Sequence, residues 1–345
     1  MLTDAEYQRL IDDALAICAV PAPTFAEAER GELVAGLLAE AGLEPSVDGV
    51  GNVVAVVAPG ERPLVVEAHL DTVFGVPLPT APARQGDRLV GAGIGDDSLA
   101  VALLLLLARR ARPTRPLVLA ATVGEEGEGN LRGATALVET FAPRAYVALE
   151  GHGRDVLVTG GTGSFRVAVA YRTAGGHSWG DRGAPNAIHL LARRCTELLD
   201  ALGDRHVNIG VVEGGTTINS IAAYATCRID CRDDDPERLQ ETEADLRRVF
   251  ADGEVELIGR RPAGQTPAGD PLVAAVREAR AAAGLPPAKE IASSTNANAA
   301  LGRGIPAVSI GLTDGGGVHT PEEYVELAPL RAGADAAVRL LELLA

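Results

Sequence analysis

Aromatic residues are scarce, at 3% of 345 positions, so any core must be assembled mainly from Ala, Val and Leu. Basic residues are outnumbered, 31 Lys and Arg against 47 Asp and Glu, giving a formal net charge of −16. That balance argues against nucleic acid and anionic membrane surfaces as partners, though not against metal cations. Long hydrophobic runs are absent. The most apolar stretch, Leu99 to Ala108, is about half the length a membrane span requires and reads as a buried helix. No basic region precedes an apolar run near the N-terminus, so no signal peptide is expected. The four cysteines, Cys18, Cys195, Cys227 and Cys231, form no C-x-x-C pair. Cys227 and Cys231 would share a strand face but lie too far apart along it for an easy bridge. Free thiols in a reducing cytoplasm are therefore expected. No short-period repeat is visible.

What remains is ordinary for a folded soluble protein, with 47% hydrophobic and 23% charged residues. A chain of this length is expected to divide into two domains. Two capping boxes are expected near the start, Thr3 with Glu6 and Thr24 with Glu27, each heading a helix; the second helix should end near Gly42. Strands then read at NVVAVVA (52–58), LVVEA (64–68), LVLAATV (117–123) and AYVALE (145–150), with a helix over 98–110. Continuous apolar strands separated by helices predict a sheet covered on both faces. The character changes around GGTGS (160–164). From there FRVAVAY (165–171), a helix at 185–202, VNIGVV (207–212), IAAYATCRIDCR (221–232) and a helix at 236–250 fit a β-α-β-β-α-β pattern. After a turn-rich segment come a helix (271–283), a strand (306–311) and a final helix (329–344). The expected architecture is α/β, one domain of residues 1–162 and 264–345 interrupted by an inserted α+β, ferredoxin-like domain of residues 163–263.

Ligand-type side chains stand where strands end. LVVEA runs into His69-Leu70-Asp71, LVLAATV into Gly124-Glu125-Glu126, and AYVAL into Glu150. Sites in open α/β sheets form outside the carboxyl ends of strands, so these loops should converge. GAGIGDD places Asp96 and Asp97 just before the buried helix, and GGGVHTPEEY places His319 in a glycine loop. Each piece alone has an ordinary reading: His-x-Asp as a turn feature, GEEGEG as a solvated acidic loop. GAGIG has the wrong spacing for a dinucleotide fingerprint, and the aspartates after it would repel a pyrophosphate. Together, imidazoles and carboxylates suit zinc, and a pair of metals needs a carboxylate able to bridge them.

In this order, HLDTVF, GAGIGDDS, GEEGEG, LEG, GGHSWGDRGAPNAI, GGTTINSIA, IDCR and GGGVHTPEEYV resemble the co-catalytic zinc exopeptidases and amidohydrolases with an inserted dimerisation domain. Glutamate carboxypeptidase, peptidase T, acetylornithine deacetylase and succinyl-diaminopimelate desuccinylase belong to that family. The resemblance implies two divalent metal ions, zinc first with cobalt or manganese acceptable. It makes His69 and Glu150 ligands on one side, Asp96 the bridging carboxylate, and Glu126 and His319 ligands on the other. It also implies that Asp71 accepts the other ring N–H of His69 and that the Asp96–Asp97 peptide is cis. Glu125 resembles the general base, beside a glutamate that ligates metal. His177 resembles the residue that reaches across a dimer to the oxyanion. Asn219 and Arg232 resemble positions that bind the substrate's carbonyl or carboxylate, although a salt bridge would equally suit Arg232. His152, His189 and His206 lie outside the motifs and read as core or surface residues; Trp179 reads as loop packing.

Two departures stand out. Asn296, in SSTNANAAL, occupies a position where an aspartate is expected, and Ser98 one where lysine is common in relatives. The expected function is a cytoplasmic, homodimeric, dinuclear hydrolase of amide bonds in small peptides or N-acyl amino acids. The other readings are an N-acyl-amino-acid deacylase, a non-catalytic metal-binding protein on the same scaffold and, more distantly, a metallophosphatase.

Overall fold

A computed structural model describes all of Met1–Ala345. It divides into two compact units, one of Met1–Gly161 with Gln265–Ala345, the other of Thr162–Gly264. No helix is long and apolar enough to cross a membrane.

The first unit is built on a nine-stranded sheet. Its centre is four parallel strands side by side: Leu117–Thr122, Leu64–His69, Ala145–Glu150 and Ala307–Gly311. Antiparallel neighbours flank this group, Val53–Ala58 on one side and Val156–Gly161 on the other. Every residue of Leu64–His69 and Leu117–Thr122 is buried, which explains their unbroken apolar character. The pleat still sorts them. Leu64, Val66, Leu117 and Leu119 pack into one core with the helices Asp4–Cys18, Leu99–Arg110 and Leu330–Leu344. Val65, Val118 and Ala120 face the other way, onto the helices Arg132–Phe141 and Ala297–Leu301. Within Leu99–Arg110 every residue through Ala108 is buried, as the sequence predicts.

The Thr3–Glu6 capping box forms. The Thr24–Glu27 box does not: the helix Ala28–Glu40 starts one residue after Glu27, which caps nothing through its side chain. Both residues are engaged elsewhere. Thr24 Oγ1 donates to Asp71 Oδ2 at 2.9 Å, and Glu27 Oε1 accepts from Gly124 N and Arg132 Nη2 at 3.1 and 2.8 Å.

The second unit is a four-stranded antiparallel sheet in the order His206–Gly214, Tyr224–Asp233, Gly163–Arg172, Glu254–Arg261. The helices Ala187–Leu202 and Pro236–Val249 pack on one face over Phe165, Val167, Val169, Cys227, Ile229 and Cys231. This is the β-α-β-β-α-β arrangement expected. All four cysteines are free.

Candidate metal centre

The parallel order delivers the chemistry to one edge. His69 ends its strand, Glu150 ends the next, and Glu125 and Glu126 follow the third. The fourth strand leads into the loop that carries His319. Asp96 and Asp97 precede the buried helix, joined by a cis peptide.

Asp96 lies between the histidines. Its Oδ1 is 2.9 Å from His69 Nε2 and its Oδ2 is 3.0 Å from His319 Nε2. His319 Nε2 is also 3.0 Å from Glu126 Oε1. Three groups of ligand-type atoms gather within 4.8 Å: His69, Asp96 and Glu126; His69, Asp97 and Glu150; Asp96, Glu150 and His152. All five sequence-predicted ligands therefore meet at one centre. The donor set of imidazole nitrogens and carboxylate oxygens is the one that suits zinc.

Electrostatics point the same way. Burial opposes the charge on Asp96, but His319 and His69 outweigh it and hold its carboxyl far below the usual range. Contacts with Asp96 and Glu126 push His319 up to about 10. Burial opposes protonation of His69, yet Asp97, Asp71 and Asp96 prevail and raise it. Glu150 is driven well above the carboxylate range by burial, with Asp96, Glu125 and Glu67 adding to the rise. Protonated imidazoles thus balance an excess of carboxylates. Ligation would require those nitrogens to release their protons.

Two aspartates fix this geometry through main chain. Asp97 Oδ2 accepts from His69 N at 3.1 Å and its Oδ1 from Gly151 N at 3.0 Å, fastening the ends of adjacent strands. Gly151 must be glycine, since a Cβ there would lie 2.5 Å from the Gly95 carbonyl oxygen. Asp71 differs from its expected contact. The His69 ring nitrogen Nδ1 is 2.9 Å from the Asp71 main-chain oxygen, but 3.7 Å from its carboxylate, too long for a hydrogen bond. The Asp71 carboxylate instead accepts the main-chain N–H groups of Glu125 and Glu126, both at 2.9 Å. Burial resists that charge, but His69 and the two N–H groups hold its pKa at about 2.

Sequence reading missed two residues of this neighbourhood. Glu323, 1% exposed, accepts from Gly93 N, Gly95 N and Asp96 N at 3.0, 2.7 and 2.9 Å, gripping the turn that presents Asp96. His152, read as outside the motifs, stands with Asp96 and Glu150; burial lowers its pKa. The second acid of TPEEY was a visible signal for Glu323. None marked His152 beyond its place two residues after Glu150.

Asn296 is also accounted for. It is buried, and its Nδ2 donates to Glu67 Oε2 at 2.9 Å and Thr122 Oγ1 at 3.0 Å. Glu67, two residues before His69, is raised to about 7 by burial. An aspartate at 296 would set a second carboxylate against it, whereas the amide supplies a donor.

In the second unit, His177 is exposed and pairs with Ser220 across a two-stranded ladder. Its Nδ1 accepts from Trp179 N and Gly180 N at 3.3 and 3.2 Å, so a neutral ring carries its proton on Nε2. Asn219 is next to this ladder, its carbonyl accepting from Ser178 N at 3.0 Å. Arg232 is not brought to that place. It lies at the other end of Tyr224–Asp233, about 26 Å along the strand from Tyr224, and pairs with Asp230 at 2.7 Å.

Imidazoles and carboxylates collected at the carboxyl ends of parallel strands define an α/β protein with a candidate metal centre. More specifically, the chain belongs to Peptidase family M20/M25/M40, a family of peptidase and amidohydrolase enzymes, whose model matches residues 65–343. A Peptidase M20 domain-containing protein of Schizosaccharomyces pombe is 30% identical over 198 residues, covering 53% of this chain and 48% of the relative. The chain spans about half the length of the curated relatives it matches. Among solved structures, aminopeptidase PepT from Bacillus cereus superposes with a TM-score of 0.78 at 23% identity, covering 98% of both chains. An M20 family metallo-carboxypeptidase from Sulfolobus solfataricus gives 0.79 at 16% identity over 99% of each. These likenesses show a common fold.

Proposed function

We propose that this chain is a dinuclear metal-dependent hydrolase of amide bonds in small peptides or N-acyl amino acids. The observation that carries the reading is Asp96, whose two carboxylate oxygens each meet a different histidine at 2.9 and 3.0 Å. A carboxylate so placed suits a bridge between two cations. His69 and Glu150 would hold one ion and Glu126 and His319 the other, zinc being preferred and cobalt or manganese compatible. When bound, such ions supply acidified water and polarisation of a carbonyl at neutral pH. Glu125 would serve as the general base, taking a proton from the attacking water and returning it to the leaving amine. Asp71 orients Glu125 through its main chain. His177, with Nε2–H free to donate, is the residue proposed to meet the developing oxyanion from a second copy of the chain. Asn219, beside the His177 ladder, is the proposed contact for the substrate's carbonyl or carboxylate; Arg232, paired with Asp230 at the other end of its strand, takes the salt-bridge reading instead. The exposed edge strand His206–Gly214, with Val211 and Val212 open to solvent, supports a homodimer; light scattering should return twice the chain mass, and a monomer at working concentration would remove the trans role of His177.

The decisive experiment joins metal analysis to a hydrolysis screen. Two equivalents of metal per chain are expected, with turnover among dipeptides, tripeptides, N-acetyl and N-succinyl amino acids. Asp96→Ala should lose both ions together. Full occupancy without hydrolysis of any amide in the panel would overturn the enzyme reading, and the productive member of the panel separates peptidase from deacylase.

A further inference from the structure

We propose that Phe25 is a specificity-determining residue: its ring forms an apolar wall beside Glu125 that receives an apolar side chain of the substrate. The inference rests on the hydrolase reading and deepens it by naming the class of substrate side chain.

Phe25 is placed against its own preferences. Its φ is +75°, a left-handed conformation that a bulky side chain rarely adopts. Burial does not compensate, since the residue is 63% exposed. Backbone strain of this kind persists only where the surroundings enforce it, and it gathers at binding sites. Here the chain is fixed on both sides of the strained residue. Thr24 Oγ1 donates to Asp71 Oδ2, the oxygen that also accepts from Glu126 N. Two residues after Phe25, Glu27 Oε1 accepts from Gly124 N. The loop 24–27 is therefore stitched to the strand end that presents Glu125.

Arg132 orients the ring, its guanidinium carbon lying 4.8 Å from the ring centroid. The same guanidinium pairs with Glu27 and packs on Gly124, where a Cβ would fall 2.3 Å from Nη1. Gly124 directly precedes Glu125, so this one side chain spans from the ring to the backbone of the proposed base. Attraction between guanidinium and aromatic face holds the ring at the rim, and most of its surface stays open. A parallel bridge joins Pro23 to Thr72, whose N–H donates to Ala22 O at 2.9 Å. It lays the segment after Asp71 alongside, and Val73 on that segment is also open to solvent. Aromatic and aliphatic surface held in place next to the base favours an apolar group over a polar one. Shielding of the Arg132–Glu27 pair is the competing role for the ring, and it would be blind to the substrate.

The test compares Phe25 with Phe25→Gly and Phe25→Asn, both replacements being at ease with positive φ. The probes are pairs that differ in one side chain: leucylglycine or glycylleucine against glycylglycine, and N-acetylleucine against N-acetylglycine. Steady-state kinetics on the zinc-loaded enzyme gives kcat/KM, and calorimetry in the Glu125→Gln background gives affinity without turnover. With Phe25 present, the leucine member of at least one pair should be favoured about 10-fold or more, the scale on which apolar pockets discriminate. Each replacement should bring that ratio down toward one, through KM more than kcat. A ring that only covers Arg132 would change both members of a pair alike and leave the ratio standing. That result overturns the proposal, as does a protein with Phe25 that shows no preference for leucine in either measurement. Leucine members bound more tightly, the preference lost in both variants, and no hydrolysis of any probe would defeat the hydrolase reading while leaving Phe25 as the selecting wall.

Discussion

Glu125→Gln should lower kcat by about 10²–10⁴-fold while two equivalents of metal remain bound. The substitution preserves shape and replaces only a proton acceptor with an amide. Glu125 is 8% exposed, and its main-chain N–H is held by Asp71 Oδ1 at 2.9 Å. That main-chain bond does not involve the side-chain atoms that change. Its charge reaches the centre, for it helps to raise Glu150, while the contact with His319 is made by Glu126. A base defect and a ligand defect should therefore separate. Steady-state kinetics beside elemental analysis makes the check: turnover unchanged from wild type removes Glu125 as the base, and metal loss would recast it as a ligand.

Glu323→Ala should destabilise the fold by several kcal/mol, on the order of 3–5, because three buried main-chain donors lose one acceptor group together. Glu323→Gln should cost less. Gly95 and Asp96 both donate to Oε1 and Gly93 to Oε2, so an amide can keep the first two while setting its NH₂ against the third. Urea denaturation of metal-free protein would rank the three; equal stability would show that the turn holds without Glu323. A pH signature should accompany this. Burial raises Glu323 from 4.5 to about 7 against the pull of those N–H groups. The folded state thus binds the extra proton, a contribution present below about pH 4.5 and lost as pH rises through about 7. Glu323→Gln removes that slope.

Strands were legible in the sequence where the information is local. Apolar runs such as Leu64–Ala68 and Leu117–Val123 carry their own burial, and the convergence of polar side chains at the ends of parallel strands follows from topology. Partners chosen across long separations were not legible. Thr24 and Glu27 have the spacing of a cap, but Asp71, Gly124 and Arg132, distant in sequence, compete for them more strongly. Asn296 reads as a departure until Glu67, 229 positions away, is known to be its acceptor. The helix Arg132–Phe141 starts from Leu131 at φ of +60° with no side-chain cap, so neither an N-cap signal nor an apolar run announced it. His152 and Glu323 belong to the same class, since only the folded chain sets them beside Gly95.

Asp97 has a consequence for how readily this centre could change its metal. The separation between His69 and Glu150 is imposed on peptide nitrogens, those of His69 and Gly151, and so owes nothing to the identity of the imidazole or the carboxylate. Donor atoms can be exchanged at either position while the frame that spaces them persists. Selection could retune ion preference one side chain at a time, because the mould is cast in backbone.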